Sequence, residues 1–180
     1  MPRFRKASFE HGRVWAITET ALRSMLVSAA AQETSVDAIA RQWGDQLEGA
    51  YSAEVHDGVA VIPVNGPLMR HLSFWSWISG SGAYELLAKE ISAAVANGNV
   101  RAVVLDIDSP GGEVTGCGEL AELIFRMHGE KPIVAYATGL CASAAYWIAF
   151  ACDEVIVSPT SQVGSIGCVA SIRDYRVAEE

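Results

Sequence analysis

From Pro132 to Cys152 the chain carries no charged residue. A run of that length either crosses a membrane or fills the interior of a domain. Its internal order favours the interior. Pro132 to Ala137 is a short β-prone run of the kind buried in a parallel sheet. Thr138 to Ala142 contains a glycine and small residues, which suit a turn. Ser143 to Cys152 then reads as a buried helix. Strand, tight turn, serine and helix together present a hydroxyl in a helix's first turn, where unpaired N–H groups favour developing negative charge. The small residues Ala142, Ala144 and Ala145 leave room there for a substrate backbone. An ordinary N-cap serine fits the same stretch.

A second stretch makes the serine more interesting. Arg101 to Asp108 has a buried-strand pattern and runs into Ser109-Pro110-Gly111-Gly112, with a helical pattern from about Thr115 to His128. Paired glycines after a strand allow a turn whose N–H groups point outward and bind an oxyanion. A plain strand-to-helix turn would use the same residues.

Three motifs in register carry a resemblance to a known family. Asp-Ser-Pro-Gly-Gly at 108–112, Ala-Ser-Ala-Ala-Tyr-Trp-Ile-Ala at 142–149 and Val-Gly-Ser-Ile-Gly at 163–167 resemble the signal peptide peptidase A family of serine peptidases. The match looks closest to its phage branch, the minor capsid protein C type of prohead protease, and covers roughly Val55 to Ala170. The resemblance implies a Clp/crotonase-like α/β fold and peptide-bond hydrolysis by a Ser–Lys dyad without cofactor or metal. It implies Ser143 as nucleophile, Gly111 or Gly112 with the Ala144 N–H as oxyanion hole, and Ser165 as the residue that orients the lysine. Protein or peptide substrates, phage capsid and scaffold proteins among them, and a homo-oligomer follow from the same likeness. The family's lysine lies a few tens of residues beyond the nucleophile, whereas the lysines here are Lys6, Lys89 and Lys131. The expectation is therefore a peptidase domain incomplete at its C-terminus, inactive as residues 1–180 alone.

The remaining sequence bounds these readings. A net charge of -8 argues against non-specific binding to nucleic acid or an anionic membrane. With half of its residues hydrophobic and 19% charged, the chain is expected to be globular. Cys117, Cys141, Cys152 and Cys168 have no Cys-x-x-Cys spacing, so they read as small buried side chains in a reducing compartment. His11, His56, His71 and His128 are scattered, forming neither a metal set nor a triad with Ser143. Lys131 begins the strand that leads to Ser143, about 20 Å from its far end at strand rise, and Lys89 beside Glu90 reads as a solvated helix face. Glu10, Glu19 and Arg23 interrupt the place where a signal peptide's apolar core would lie. The expected location is the bacterial cytoplasm or a phage prohead.

Two units are expected. Residues 1–52 form a helical arm, with an amphipathic helix over Trp15–Ala31, a shorter one over Thr34–Trp43 and a linker over Gly44–Ser52. Residues 53–180 form the peptidase domain. There a strand carrying Val59, Val61, Ile62 and Val64, ended by Asn65-Gly66-Pro67, precedes an aromatic loop bearing Phe74, Trp75 and Trp77, suited to substrate, to a neighbouring subunit or to capping the local core. A helix over Ala83–Asn97 follows, and the alternation continues as parallel βαβ units through a strand at Glu154–Val157. Both candidate turns then fall at carboxyl ends of strands, where open α/β sheets place their sites. A crotonase-like acyl-CoA enzyme with Asp106, Asp108 or Glu113 as acid/base groups is a competing chemistry, though no basic cluster offers itself to the CoA phosphates. The same motifs would also suit a bacterial signal-peptide-peptidase-like protease, or a capsid assembly protein that keeps the fold without catalysis.

Overall fold

The computed structural model describes residues 14–21, 53–71 and 82–170. Its strands are β1 (Val14–Ile17), β2 (Glu54–His56), β3 (Val59–Asn65), β4 (Ala102–Ser109), β5 (Gly111–Glu113), β6 (Ile133–Ala142), β7 (Glu154–Val157), β8 (Gln162–Gly164) and β9 (Val169–Ala170). Its helices are α1 (Tyr84–Ala96), α2 (Cys117–Arg126) and α3 (Ala144–Phe150).

The main sheet has the order β2-β3-β4-β6-β7, with β8 pairing the far end of β6. β2 and β3 form an antiparallel hairpin, turning at Asp57-Gly58, while β3, β4, β6, β7 and β8 pair in parallel. From β3 to β7 the successive parallel strands are joined through helices, which is the α/β architecture expected from the alternation. Alternate residues of the central strands fill one face: Ala60, Ile62 and Val64 on β3, Val103, Leu105 and Ile107 on β4, and Ile133, Ala135 and Ala137 on β6. The helices close over that face with Leu87 and Ile91 of α1, Leu120 and Ile124 of α2, and Ile148 and Ala149 of α3. The uncharged run is thus one buried ten-residue strand and one seven-residue helix. Among the described residues no helix is long and apolar enough to cross a membrane.

Cys168, expected among the buried thiols, is exposed, whereas Cys117, Cys141 and Cys152 are buried. Three expectations about local elements also need correction. Thr138 to Ala142 is not a turn but the end of β6, and the chain turns at Ser143 itself. Register explains the difference: between the pairs Ile107↔Ala137 and Ser109↔Cys141, β6 advances four residues and β4 two. The surplus forms a bulge pinned by two carboxylates. Thr138 Oγ1 donates to Asp106 Oδ1 at 2.8 Å, and the Leu140 N–H donates to Asp108 Oδ1 at 2.9 Å. A Cβ on Gly139 would lie 2.4 Å from that Asp108 oxygen, so the glycine lets the carboxylate in.

The Gly-Gly segment is likewise more than a turn, since Gly111–Glu113 is the strand β5. The third correction concerns the helical arm. Val14–Ile17, assigned above to a helix beginning at Trp15, is strand β1, paired antiparallel with β5 on one side and β9 on the other. Val-Trp-Ala-Ile is β-prone, and two open strand edges outweigh a weak helical preference. The expected helix over Thr34–Trp43, the linker over 44–52 and the aromatics Phe74, Trp75 and Trp77 lie outside the described residues.

Candidate active site

β4 and β6 are neighbours that end side by side, so the segments leaving them meet. Gly111 lies directly against the Ser143 turn. A Cβ built on it would stand 2.9 Å from Ala142 O, 2.9 Å from Ala144 N and 2.2 Å from Ala16 O. All three are backbone atoms, and Gly111 also has φ +96°, so only glycine fits on both counts.

Ser143 precedes α3 and has φ 56° and ψ -113°, a backbone conformation costing a non-glycine residue about 1–3 kcal/mol. Such strain persists where the surroundings enforce it. Here the Ser143 N–H donates to Gly164 O at 2.7 Å, and its carbonyl accepts from the Trp147 N–H at 2.9 Å. The hydroxyl makes no cap on α3. Ser143 Oγ donates instead to Gly167 O at 3.1 Å, in a site where the residue is buried. The ordinary N-cap explanation therefore fails, because a capping hydroxyl accepts from the helix's first N–H groups.

The third motif closes around the serine through those same bonds. Gly164 and Gly167 both accept from Ser143, and Ser165 lies between them with φ 54°. Ser143, Ala144, Gly111, Gly112 and Ser165 are thus drawn to one end of the sheet.

The two glycines differ in what their N–H groups do. The Gly111 N–H donates to Ser109 Oγ at 3.2 Å, while that hydroxyl donates to Gly66 O at 2.6 Å. On the edge of β5 facing Leu68, Gly111 O accepts from Leu68 N at 2.9 Å and Glu113 N donates to Leu68 O at 2.8 Å. Strand alternation then turns the Gly112 N–H to the opposite edge, toward Ala16 of β1. Ser109 is fully buried and organises the glycine turn, a role the sequence motif contained without revealing. The Gly164 and Gly167 carbonyls were equally invisible, because backbone acceptors leave no side-chain signature.

Other ionisable groups among the described residues lie away from Ser143. Lys131 Nζ donates to Asn97 O at 2.5 Å and Ala94 O at 3.3 Å, where it caps the C-terminus of α1. The whole of β6, roughly 30 Å at strand rise, separates it from Ser143. Lys89 is exposed on α1. His128 Nε2 lies 2.8 Å from Ala151 O, and His56 and His71 pair at the surface with Glu54 and Glu85. The His71 partnership holds the Glu85 carboxyl below its usual range. Glu113 accepts from the Arg70 N–H at 2.8 Å, and Tyr84 Oη donates to the Glu113 carbonyl at 2.7 Å. Burial pushes the Tyr84 hydroxyl far above its usual pKa, so it stays a donor.

Comparison with known proteins agrees with the three motifs. Residues 126–180 match the model of peptidase family S49. The chain is 39% identical over 121 residues to the head-tail preconnector protein GP5 of Enterobacteria phage P21, covering 67% of this chain and 24% of that protein. It is 33% identical over 131 residues to the capsid assembly protease C of Escherichia phage lambda, covering 73% of this chain and 30% of that one. The match thus spans less than a third of either relative. Among solved structures, a protein of Acinetobacter baumannii assigned to the enoyl-CoA hydratase/isomerases superposes with TM-score 0.50 at 21% identity, over 62% of this chain and 51% of that one. That likeness concerns the fold, which is crotonase-like.

Proposed function

We propose that this chain, an S49-family relative over residues 126–180 and similar to a phage capsid assembly protease over 73% of its length, is the nucleophile-bearing part of a serine endopeptidase. One observation carries the reading: the Ser143 hydroxyl does not cap its helix, and the Ala144 N–H lies against the Gly111-Gly112 strand. Ser143 Oγ attacks a substrate carbonyl carbon and passes its proton to a neutral lysine amine. The carbonyl oxygen becomes an oxyanion between the Gly112 and Ala144 N–H groups, α3's first amide having no acceptor within the helix. Collapse breaks the C–N bond, the leaving amine takes the proton, and water then hydrolyses the acyl-serine. Ser165 orients the lysine. Lys131 and Lys89 fail as that base on position, so the base comes from outside the described residues, in a pocket dry enough to keep an amine neutral.

The substrates are protein segments, with phage capsid or scaffold proteins as the proposed natural set in a prohead or host cytoplasm. Self-association is supported by the exposure of Phe125, Phe150 and Ile166. The acyl-CoA reading draws on the fold alone, and fold does not specify chemistry. Its carboxylates are already engaged: Asp106 and Asp108 hold the β6 bulge and Glu113 holds Arg70.

The test is covalent labelling of the protein by a fluorophosphonate probe, with the modified residue located by mass spectrometry. Labelling at Ser143 that disappears in Ser143→Ala supports the proposal. The probe is applied to residues 1–180 and to a longer chain supplying the lysine; labelling of the longer chain that is unchanged by Ser143→Ala, or absent beside a serine hydrolase control, overturns it in favour of a non-catalytic assembly role.

A further inference from the structure

Strand β1 completes a three-stranded sheet in the order β5-β1-β9. Its neighbours are the glycine strand, which lies against the nucleophile turn, and the strand just after the Ser165 motif. β1 is antiparallel to both, with Ala16 opposite Gly112, Trp15 opposite Glu113 and Val169, and Val14 opposite Ala170. Ala16 and Ile17 are buried, at 3% and 2% exposure. The Ala16 carbonyl faces the edge that carries the Gly112 N–H, on the side of Gly111 where Ala144 N also lies. An extended segment from nearly a hundred residues upstream therefore lies between two strand edges, with one carbonyl at the proposed oxyanion donors.

The geometry points to Val14–Ile17 as a built-in occupant of the groove between β5 and β9, a strand that an extended peptide substrate must displace. This inference rests on the peptidase reading for its meaning and adds to it a segment of the chain that occludes the site. Main-chain pairing on both edges supplies sequence-tolerant binding, as in β-strand addition. The Ala16 carbonyl stands on the side of Gly111 where Ala142 O and Ala144 N lie, so Ala16 occupies the acyl position.

The experiment measures binding of a fluorescein-labelled peptide of residues 13–19 by anisotropy. Its parent carries Cys168→Ser, which removes the exposed thiol. Ile17→Asp, which places a carboxylate in a buried β1 position, is expected to bind the peptide at least tenfold more tightly than the parent, with circular dichroism confirming its fold. Trp15→Cys with Val169→Cys locks the occupant, because antiparallel partners lie within disulfide reach. Oxidation is expected to weaken peptide binding at least tenfold, and reduction to restore it. The locked pair remains decisive if Ile17→Asp does not fold. Equal binding in the oxidised and reduced states would overturn the inference and leave β1 a structural strand. Ser143→Ala, carried through the same titrations, keeps the two readings apart: loss of fluorophosphonate labelling bears on the nucleophile, and peptide affinity bears on the groove.

Discussion

Gly112→Ala tests the packing that aims the proposed oxyanion donor. A Cβ at this position would stand 1.8 Å from Leu68 O, 2.5 Å from Leu68 C and 2.6 Å from Leu68 N. These are backbone atoms of a fully buried residue, so no rotamer change relieves the clash. The segment holding Leu68 must move away from β5. That breaks the bond from Leu68 N to Gly111 O and the one from Glu113 N to Leu68 O. Two net backbone hydrogen bonds are worth about 2 kcal/mol together, and forced overpacking typically adds about 1–3 kcal/mol. The expected loss is about 3–5 kcal/mol, a large share of the 5–15 kcal/mol typical of a domain. Urea unfolding followed by tryptophan fluorescence measures it. Gly98→Ala is the control, since a Cβ there meets nothing within 4 Å, and it should stay within about 0.5 kcal/mol of the parent. Fluorophosphonate labelling under native conditions should slow in Gly112→Ala, because its N–H shifts. A Gly112→Ala protein as stable as the control would show that Leu68 is not held against β5, and the argument for the donor's direction would fail.

Residues 1–180 should hydrolyse peptides on the order of 100- to 10,000-fold more slowly than a longer chain supplying the lysine, the usual cost of a missing general base. Equal rates, both abolished by Ser143→Ala, would place the base among Lys6, Lys89 and Lys131. Lys131→Met should lower stability by about 1 kcal/mol through loss of the α1 cap and leave Ser143 labelling unchanged, which urea unfolding and the probe assay read separately. Ellman's reagent at pH 8 should titrate one thiol in the native protein, Cys168, and four after denaturation. Burial raises Cys117 to about 12, Cys141 to about 11 and Cys152 to about 12, so the folded state retains protons that the unfolded state loses above about pH 9. Stability should therefore be intact below that pH and fall from pH 9 toward 11, by up to about 1.4 kcal/mol per pH unit for each thiol. Chemical denaturation across that range measures the slope. Light scattering at micromolar concentration should show an assembly larger than one chain; a clean monomer would remove the self-association proposal.

The sequence by itself determined the parallel strand–helix alternation and the meeting of the Gly-Gly and Ser143 segments. Local pattern carries that information: period-two burial in Val103, Leu105 and Ile107, a helical face in Leu120, Ala121 and Ile124, and small residues where backbones approach. The family motifs were legible for the same reason, being contiguous in the chain. Tertiary structure alone decided what depends on partners remote in sequence. Val14–Ile17 became a strand because β5 and β9 offered two edges, an event no local window contains. The turn moved from Gly139 to Ser143 because two carboxylates on a neighbouring strand capture the bulge. Ser109 became the organiser of Gly111 because Gly66, on the adjoining strand's exit, accepts its proton. The Ser143 hydroxyl turned from its helix to Gly167 because β8 pairs with the end of β6 and brings that carbonyl beside it. Residue types and local periods are written in the chain, whereas the direction of a backbone N–H or carbonyl is settled only when the strand beside it arrives.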